Sequence, residues 1–290
     1  MSYPAFHLDF YSDWMALLKN DLANIGYSVA DLSDEKVQIA YFNVKKRLIE
    51  PIKRNVIKSK EFTCPPERYA GLQRLEQEIN NGNNLKPYLS KFILDIHYND
   101  NLLNHWGIYH LHLGEYIEES GFIKREGPVL YVRFDKFNAY FIDVRGHNSW
   151  SEQSLIQIVH DNWPQTIAEF RYPASARLVY QATDSDVSKL RKANINSPVG
   201  VNDGTIYGII GGGAALNGVG VEIVDLMLNT KAKIKKWQES VETNIVSIVN
   251  DGVLKGVKFS DIHEIKLDFD NSVAYAVEKN HLFYFELGML

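Results

Sequence analysis

Residues 106–145 read WGIYHLHLGEYIEESGFIKREGPVLYVRFDKFNAYFIDVR. Polar and apolar side chains alternate over residues 108–113, and two runs rich in β-branched and aromatic residues follow at 129–134 and 139–144. Alternation of this kind over roughly four to eight residues is typical of a half-buried β-strand. The connection at residues 135–138 is short enough to form a hairpin. This stretch therefore predicts an antiparallel meander.

Upstream of the meander, residues 1–95 are predicted to be mostly helical. Apolar side chains recur at helical spacing from Phe10 to Leu22 and again from Val37 to Ile52. Pro51 is expected to kink or end the second helix, because proline lacks an N–H and its ring clashes with the preceding turn. A third helix is predicted over residues 66–79, ending at the turn cluster 80–84.

Downstream of the meander, helices and short extended segments alternate. We expect a helix from Ser151 to the break at Trp163 and a long amphipathic helix over residues 221–249. The other predicted elements are a strand at 176–181, a helix at 184–193, a strand at 205–210 and extended segments at 265–269, 272–277 and 281–287. We expect the last three segments to form a small antiparallel sheet. The chain is therefore predicted to be an α+β protein of three regions: helical 1–95, histidine-rich sheet plus helix 96–165, and mixed 166–290.

Composition excludes several classes of protein. The 290 residues carry a formal charge of −5 with a pI near 6.0, unlike a generally basic nucleic-acid binder. A single cysteine, Cys64, excludes an internal disulfide framework and a cysteine-ligated zinc site. The N-terminal residues lack a basic region followed by an apolar run, and no window approaches the roughly 18 apolar residues of a membrane span. We therefore expect a soluble, cytoplasmic protein with no membrane partner.

Histidines are concentrated in the predicted sheet region. Six of the nine lie between residues 97 and 160: His97, His105, His110, His112, His147 and His160. His110 and His112 are two residues apart on a predicted strand, so their side chains leave the same face of the sheet. Because the unperturbed pKa of histidine lies near neutrality, the two side chains can divide general-acid and general-base roles.

Nearby arginines complete a hypothetical catalytic site. Arg133 and Arg145 can hold a phosphate and stabilise the charge that develops on it, provided that they point toward the histidines. His147 and Lys136 lie in the adjoining turns. The resulting hypothesis is a site for cleaving a phosphodiester that needs no metal and no cofactor, with catalytic candidates His110, His112, Arg133, Arg145 and His147.

Two other interpretations of the histidine segment stay open. Alternating histidines, arginines and lysines also describe a solvated sheet face with no function. Alternatively, His110 and His112 with Glu115 form a strand-borne ligand pattern used by metal-dependent hydrolases and oxygenases, for which His147 or His160 offers a further ligand.

The glycine-rich stretch 208–220, GIIGGGAALNGVG, precedes the predicted long helix. Backbone N–H groups at the start of a helix can bind anions, so a phosphate-binding loop is conceivable there. However, Val219 stands where the lysine of a nucleotide-triphosphate loop belongs. The sequence therefore favours a flexible or tightly packed turn.

Basic residues form two runs on predicted helices. The second helix carries Lys45, Lys46, Arg47, Lys53 and Arg54, and the long helix carries Lys231, Lys233, Lys235 and Lys236. Runs of this kind are usually solvated faces, but they can also follow a nucleic-acid backbone. The candidate nucleic-acid contacts are the five residues of the second helix together with Lys136.

The order of elements in residues 106–163 resembles the sheet of the RelE/ParE-like toxin superfamily. The resemblance rests on Ile108-Tyr-His-Leu-His-Leu, Leu130-Tyr-Val-Arg-Phe, Ala139-Tyr-Phe-Ile-Asp-Val and Arg145-Gly-His followed by a helix. It implies an antiparallel sheet that carries a ribonuclease site, in a protein of toxin or defence type. Where the family has a fuller basic cluster after the last strand, this chain has His147-Asn-Ser-Trp150.

Two main hypotheses follow. The first is an RNA-cleaving enzyme that uses the histidines for proton transfer and the basic helix faces to hold the RNA backbone. The second is a non-catalytic binding or assembly protein, in which helix 221–249 packs against a partner protein or a second copy of the chain. A histidine-ligated metal-dependent hydrolase or oxygenase is a further alternative.

Overall fold

The computed structural model describes residues 5–258, 262–270, 272–279 and 283–289. Its α+β architecture agrees with the prediction. The strands and α-helices, in chain order, are β1 (Ala5–Leu8), α1 (Phe10–Ile25), α2 (Asp34–Arg47), β2 (Asn55–Lys58), α3 (Tyr69–Asn81), α4 (Asn101–Trp106), β3 (Tyr109–His112), β4 (Val129–Phe134), β5 (Asn138–Arg145), α5 (Ser154–Asn162), α6 (Asp184–Lys192), β6 (Val199–Gly200), β7 (Ile206–Tyr207), α7 (Val221–Leu254), β8 (Ile262–Asp270), β9 (Val273–Glu278) and β10 (Tyr284–Met289).

The chain forms two compact units. One comprises Met1–Phe42 with Val224–Leu290, and the other comprises Asn43–Ile223. Neither unit begins or ends at residue 95 or 165, where the sequence placed region boundaries. The difference arises because strands pair across those boundaries: β2 joins β5, and β1 joins β8.

The first unit contains a four-stranded sheet of order β1-β8-β9-β10. The predicted C-terminal antiparallel sheet is present as β8, β9 and β10, and β1 adds a parallel edge strand. Helix α1 buries an apolar stripe that includes Phe10, Trp14, Leu18 and Leu22. Gly26, with φ 104°, ends this helix in the left-handed conformation that glycine adopts without strain.

The second unit contains a four-stranded sheet of order β2-β5-β4-β3. The predicted meander is present, since β3, β4 and β5 pair antiparallel, and β2 adds a parallel strand beside β5. One face of this sheet, with Val129 and Tyr131, packs against α5. The opposite face, with Leu130 and Val132, packs against α3. Both faces are covered by helices, which explains the nearly continuous apolar sequence of β4 and β5.

Several predicted elements differ in extent. Helix α2 ends at Arg47, before Pro51, and the chain then becomes strand β2. Residues 176–181 are irregular, with a bend at 179–180, and do not form a strand. The strand predicted at 205–210 is shorter, since β7 covers only Ile206–Tyr207. The predicted long helix continues to Leu254 as α7. Residues 281 and 282 of the segment predicted at 281–287 lie outside the described residues, and strand β10 begins at Tyr284.

Among the helices of the described residues, none is long and apolar enough to cross a membrane.

Candidate functional site

Three of the histidines predicted to carry function converge in the second unit. One ring nitrogen from each of His110, His112 and His147 lies within 4.8 Å of the other two. The three side chains differ in exposure: His112 is buried, His110 is half-buried and His147 is exposed. The cluster therefore opens to solvent on the His147 side.

Strand register explains how the histidines meet. His110 pairs with Tyr131 and His112 pairs with Val129, so both imidazoles lie on the sheet face that also carries these β4 residues. The Tyr131 hydroxyl donates a hydrogen bond to the carbonyl of Gly146 at 3.1 Å. This bond fixes the turn after β5 and brings His147 back over β3.

Trp150 packs on the cluster. Its ring stacks on His110 with centroids 6.3 Å apart and meets His147 edge-on at 5.7 Å. The carbonyl of Trp150 accepts a hydrogen bond from Arg191, whose guanidinium also lies 3.7 Å from the centre of the Trp106 ring. Arg191 is buried and thereby anchors the short helix Ser149–Ser151 that presents Trp150.

Arg125 is the charged neighbour of His112. Its Nη1 lies 3.0 Å from Nε2 of His112, and its Nη2 donates to the carbonyl of Leu89 at 2.7 Å. Because a guanidinium only donates hydrogen bonds, Nε2 of His112 is the acceptor, and the proton of the neutral ring lies on Nδ1. The Nε atom of Arg125 is buried and has no hydrogen-bond partner among the described protein atoms.

The surroundings of His112 and of the half-buried His110 hold both imidazoles neutral. Burial, reinforced by the charge of Arg125, lowers the pKa of His112 to about 3. Burial also lowers the pKa of His110 below its usual value, although Asp100 acts in the opposite direction. Both rings are therefore neutral near neutral pH. The lone pair of His110 can accept a proton or bind a ligand, whereas the lone pair of His112 accepts the hydrogen bond from Arg125.

An open pocket of about 560 Å³ lies over the cluster. His112, His147, Arg125 and Phe92 are among the residues that line it. Its cationic groups are partly balanced, because Glu126 also lines the pocket and Lys91 pairs with Glu118 at 3.3 Å. The pocket is thus a mixed-charge cleft lined by one arginine and by two of the three clustered histidines, His112 and His147.

The two arginines expected at the site are engaged elsewhere. Arg133 donates to the carbonyl of Trp106 at 2.6 Å and lies beyond the start of β3, at the opposite end from His112. Arg145 lies two strands from His112, roughly 10 Å across the sheet, and its guanidinium binds Asp143 at 2.9 Å and Glu152 at 2.8 Å. The condition that both point toward the histidines is therefore not met.

The predicted nucleic-acid contacts divide into exposed and internal side chains. Lys45, Lys53 and Lys136 are exposed. Lys46 binds the carbonyl of Gly211 and the carboxylate of Glu222, both at 2.9 Å. Arg47 and Arg54 are buried and donate to main-chain carbonyls, including those of Phe92 and Asp135. Of these six residues, the three exposed lysines are the ones whose side chains lie at the surface, where a polyanion could contact them.

The remaining members of the histidine-rich segment lie apart from the cluster. His97 is exposed. His105 is buried, and burial lowers its pKa to about 4. His160 contacts the Tyr207 hydroxyl at 2.8 Å. Glu115, considered above as a metal ligand, is exposed, and the group of potential ligands found among the described residues consists of the three histidines without it.

The glycine-rich stretch 208–220 is a closely packed turn. A Cβ atom on Gly211 would lie 2.2 Å from the carbonyl oxygen of Leu103 and 2.5 Å from that of Asn104. The Gly213 N–H donates to the carbonyl of Asn104 at 2.8 Å. Gly212, Gly213 and Gly218 have positive φ. Close packing against α4 therefore explains why glycines occur in this stretch, and a phosphate-binding role is not needed to explain them.

Sequence reasoning missed Arg125, Arg191 and Phe92. Arg125 lies in an irregular loop and the other two lie in elements far from the histidines in sequence, so no periodic pattern marks them. Comparison with protein families, with curated proteins and with solved structures finds no match for this chain. The resemblance of residues 106–163 to the RelE/ParE-like superfamily thus remains a prediction.

Proposed function

We propose that the unit Asn43–Ile223 is a metal-independent endoribonuclease whose site consists of His110, His112, His147 and Arg125. The observation that carries the proposal is the convergence of three imidazoles and one guanidinium. Two of these imidazoles, those of His112 and His147, line one open pocket together with Arg125. Imidazole and guanidinium are the groups that phosphodiester cleavage through the neighbouring ribose hydroxyl requires: proton acceptors, proton donors and a fixed positive charge.

The proton positions favour an anion at this site. With Nε2 of His112 accepting from Arg125, the Nδ1–H group of His112 is a hydrogen-bond donor. Arg125 also lines the pocket. A phosphate oxygen can accept from the Nδ1–H group and is attracted by the guanidinium charge.

His110 and His147 are assigned the proton transfers. His110 is unprotonated near neutral pH because burial lowers its pKa, so it can take the proton from the ribose 2′-hydroxyl. The 2′-oxygen then forms a bond to phosphorus while the bond from phosphorus to the 5′-oxygen breaks. His147, which is exposed to solvent, is assigned the role of general acid and gives a proton to that 5′-oxygen. The products are a 2′,3′-cyclic phosphate and a free 5′-hydroxyl, and Arg125 stabilises the charge on the phosphoryl oxygens.

The finer assignments rest on sequence. The resemblance of residues 106–163 supports a toxin or defence role. The exposed lysines Lys45, Lys53 and Lys136 can hold the RNA backbone by charge. Cys64 is the single cysteine and carries no disulfide, which suits a reducing cytoplasm, where RNA is present.

The test is cleavage of a fluorescent RNA oligonucleotide by the purified protein in excess EDTA. We expect His110→Ala and His147→Ala each to lower the rate by about 10²–10⁴-fold, the usual contribution of general acid–base catalysis. His7→Ala, which removes an exposed histidine from the other unit, serves as the matched control. Cleavage that survives both substitutions would overturn the assignment.

A metal centre is the second candidate, favoured by the mutual approach of three imidazole nitrogens within 4.8 Å. Three histidines form the protein ligand set of some catalytic zinc sites. The contact of Arg125 with Nε2 of His112 opposes this assignment, because the arginine occupies the ring's one lone pair. Elemental analysis of the purified protein separates the two candidates: a stoichiometric transition metal that His112→Ala abolishes would favour the metal centre.

Self-association through residues 221–249 also remains a proposal. Helix α7 exposes Leu226, Leu228 and Val246, each at least 43% accessible. Exposed apolar side chains on one helix are suited to packing against a partner protein or a second copy. Light scattering across a concentration series tests this: a constant monomer mass would contradict self-association.

A further inference from the structure

An exposed aromatic side chain, Phe92, forms part of the pocket wall and stacks on the half-buried Tyr98. Phe92 lines the pocket together with His112, Arg125 and His147. One face of its ring stacks on Tyr98, with centroids 4.7 Å apart and planes inclined by only 12°. Phe92 is nevertheless 58% exposed, so its other face meets solvent.

The pair is held in place by buried groups. Phe92 lies in the short helix Lys91–Leu94, whose first turn is capped by the Ser90 side chain. Arg47 donates to the carbonyl of Phe92 at 3.1 Å and lies over the ring of Tyr98, 5.8 Å from its centre. The exposed ring is therefore preorganised, which lowers the entropy lost when a ligand stacks on it.

In a site that binds phosphodiesters, the natural ligand for the exposed ring face of Phe92 is a nucleobase. Single-stranded RNA is bound largely by stacking of its unpaired bases on exposed aromatic side chains. One ribose joins each base to its phosphate, so a base and a phosphate have to be received by neighbouring surfaces. The pocket offers both an aromatic ring and a guanidinium, since Phe92 and Arg125 both line it.

We propose that Phe92, supported by Tyr98, is a base-stacking subsite that receives the nucleobase adjoining the phosphate bound at Arg125 and the histidines. The phosphate part of this inference rests on the proposed function. Stacking uses the ring face, which every base possesses, so this subsite tolerates different sequences and binds purines more tightly than pyrimidines because purines stack over a larger area.

Binding of adenosine 3′-monophosphate, measured by calorimetry on the full chain, tests the subsite without requiring cleavage. We expect Phe92→Leu, which keeps an apolar side chain but removes the aromatic face, to weaken binding by about 5- to 150-fold, the range for loss of one base stack. Phe92→Trp is expected to retain binding. Inorganic phosphate, the second probe, is expected to bind equally to all three proteins.

Leu94→Ala is the matched control, because Leu94 is 56% exposed in the same short helix. Thermal unfolding of each variant confirms that the fold is intact. Equal affinity of wild type and Phe92→Leu for the nucleotide would overturn the subsite. If the wild type binds the nucleotide through Phe92 but does not cleave RNA, the proposed function fails and the subsite stands. If the wild type and Phe92→Leu cleave RNA with the same KM, only the subsite fails.

Discussion

Nη1 of Arg125 lies 3.0 Å from Nε2 of His112. Since the guanidinium cannot accept a hydrogen bond, this contact fixes both the charge state and the tautomer of the imidazole. It also places a permanent positive charge at the base of the pocket, next to the only histidine of the cluster that is buried. Because the guanidinium charge attracts anions and repels cations, the contact favours an anion as the ligand over a metal ion.

The first prediction concerns the titration of His112. Its pKa is lowered to about 3 by burial and by Arg125, so Arg125→Ala is expected to raise that pKa while burial still keeps it below the ordinary histidine value. Arg125→Lys retains the charge and is expected to keep the pKa lower than the alanine variant does. Nitrogen-15 NMR of the histidine rings measures both, and an unchanged pKa in Arg125→Ala would show that the contact is absent in solution.

A second prediction separates the structural role of Arg145 from the phosphate-binding role that the sequence suggested. Arg145→Met leaves the carboxylate of Asp143 without its guanidinium, and we expect a loss of about 1–3 kcal/mol in unfolding free energy. The rate of RNA cleavage per folded molecule should change little. Lys136→Ala, at an exposed position, should alter stability by less than about 0.5 kcal/mol. A large fall in rate at unchanged stability would return Arg145 to the catalytic site.

Stability should depend on pH below neutrality. His105 and His112 have pKa values lowered to about 4 and about 3, whereas in the unfolded chain histidine titrates near 6.5. Between these values the unfolded state binds more protons, so stability is fully present above about pH 6.5 and falls as pH decreases. Each histidine should contribute a loss of roughly 1.5 kcal/mol between pH 6.5 and 5.

Denaturant unfolding across this window measures the effect before most carboxylates titrate. The variant His112→Gln is expected to show a shallower pH dependence than the wild type. Stability that stays constant or rises from pH 6.5 to pH 5 would mean that these histidines are not buried in neutral form.

Two glycines of the stretch 208–220 make a matched pair. In Gly211→Ala the added methyl group would meet main-chain oxygens at 2.2 and 2.5 Å, which forces α4 and the turn apart. In Gly208→Ala the nearest atom lies at 3.5 Å, an ordinary contact. We expect Gly211→Ala to lower the thermal midpoint clearly and Gly208→Ala to leave it nearly unchanged; equal midpoints would contradict close packing of this turn.

The sequence predicted those features that depend on local periodicity. The strands β3, β4 and β5, the helix α7 and the common face of His110 and His112 all follow from alternation or helical spacing within one segment. Pairing between distant segments has no such signal, which is why the parallel additions of β1 and β2, and hence the two-unit division, were not predicted.

The candidate site was predicted only in part for the same reason. His147 reaches the strand pair through a turn held by Tyr131, and Arg125 arrives from an irregular loop. Arg133 and Arg145 occupy alternating strand positions that suggest exposure, but carbonyl groups and carboxylates of the surrounding fold satisfy them. A charged residue on a strand can equally serve packing and catalysis, and only the three-dimensional positions of its partners decide between them.

The most direct test compares two oligonucleotides in excess EDTA: an RNA, and the same sequence with every ribose replaced by 2′-deoxyribose. The deoxy strand lacks the 2′-hydroxyl that attacks phosphorus in the proposed reaction. The protein should therefore cleave the RNA to products ending in a 2′,3′-cyclic phosphate and leave the deoxy strand intact. His110→Ala and His147→Ala should each lower the rate of this cleavage by about 10²–10⁴-fold. Cleavage of both strands, or cleavage that appears only after a divalent metal is added, would contradict a metal-independent ribonuclease at His110, His112, His147 and Arg125.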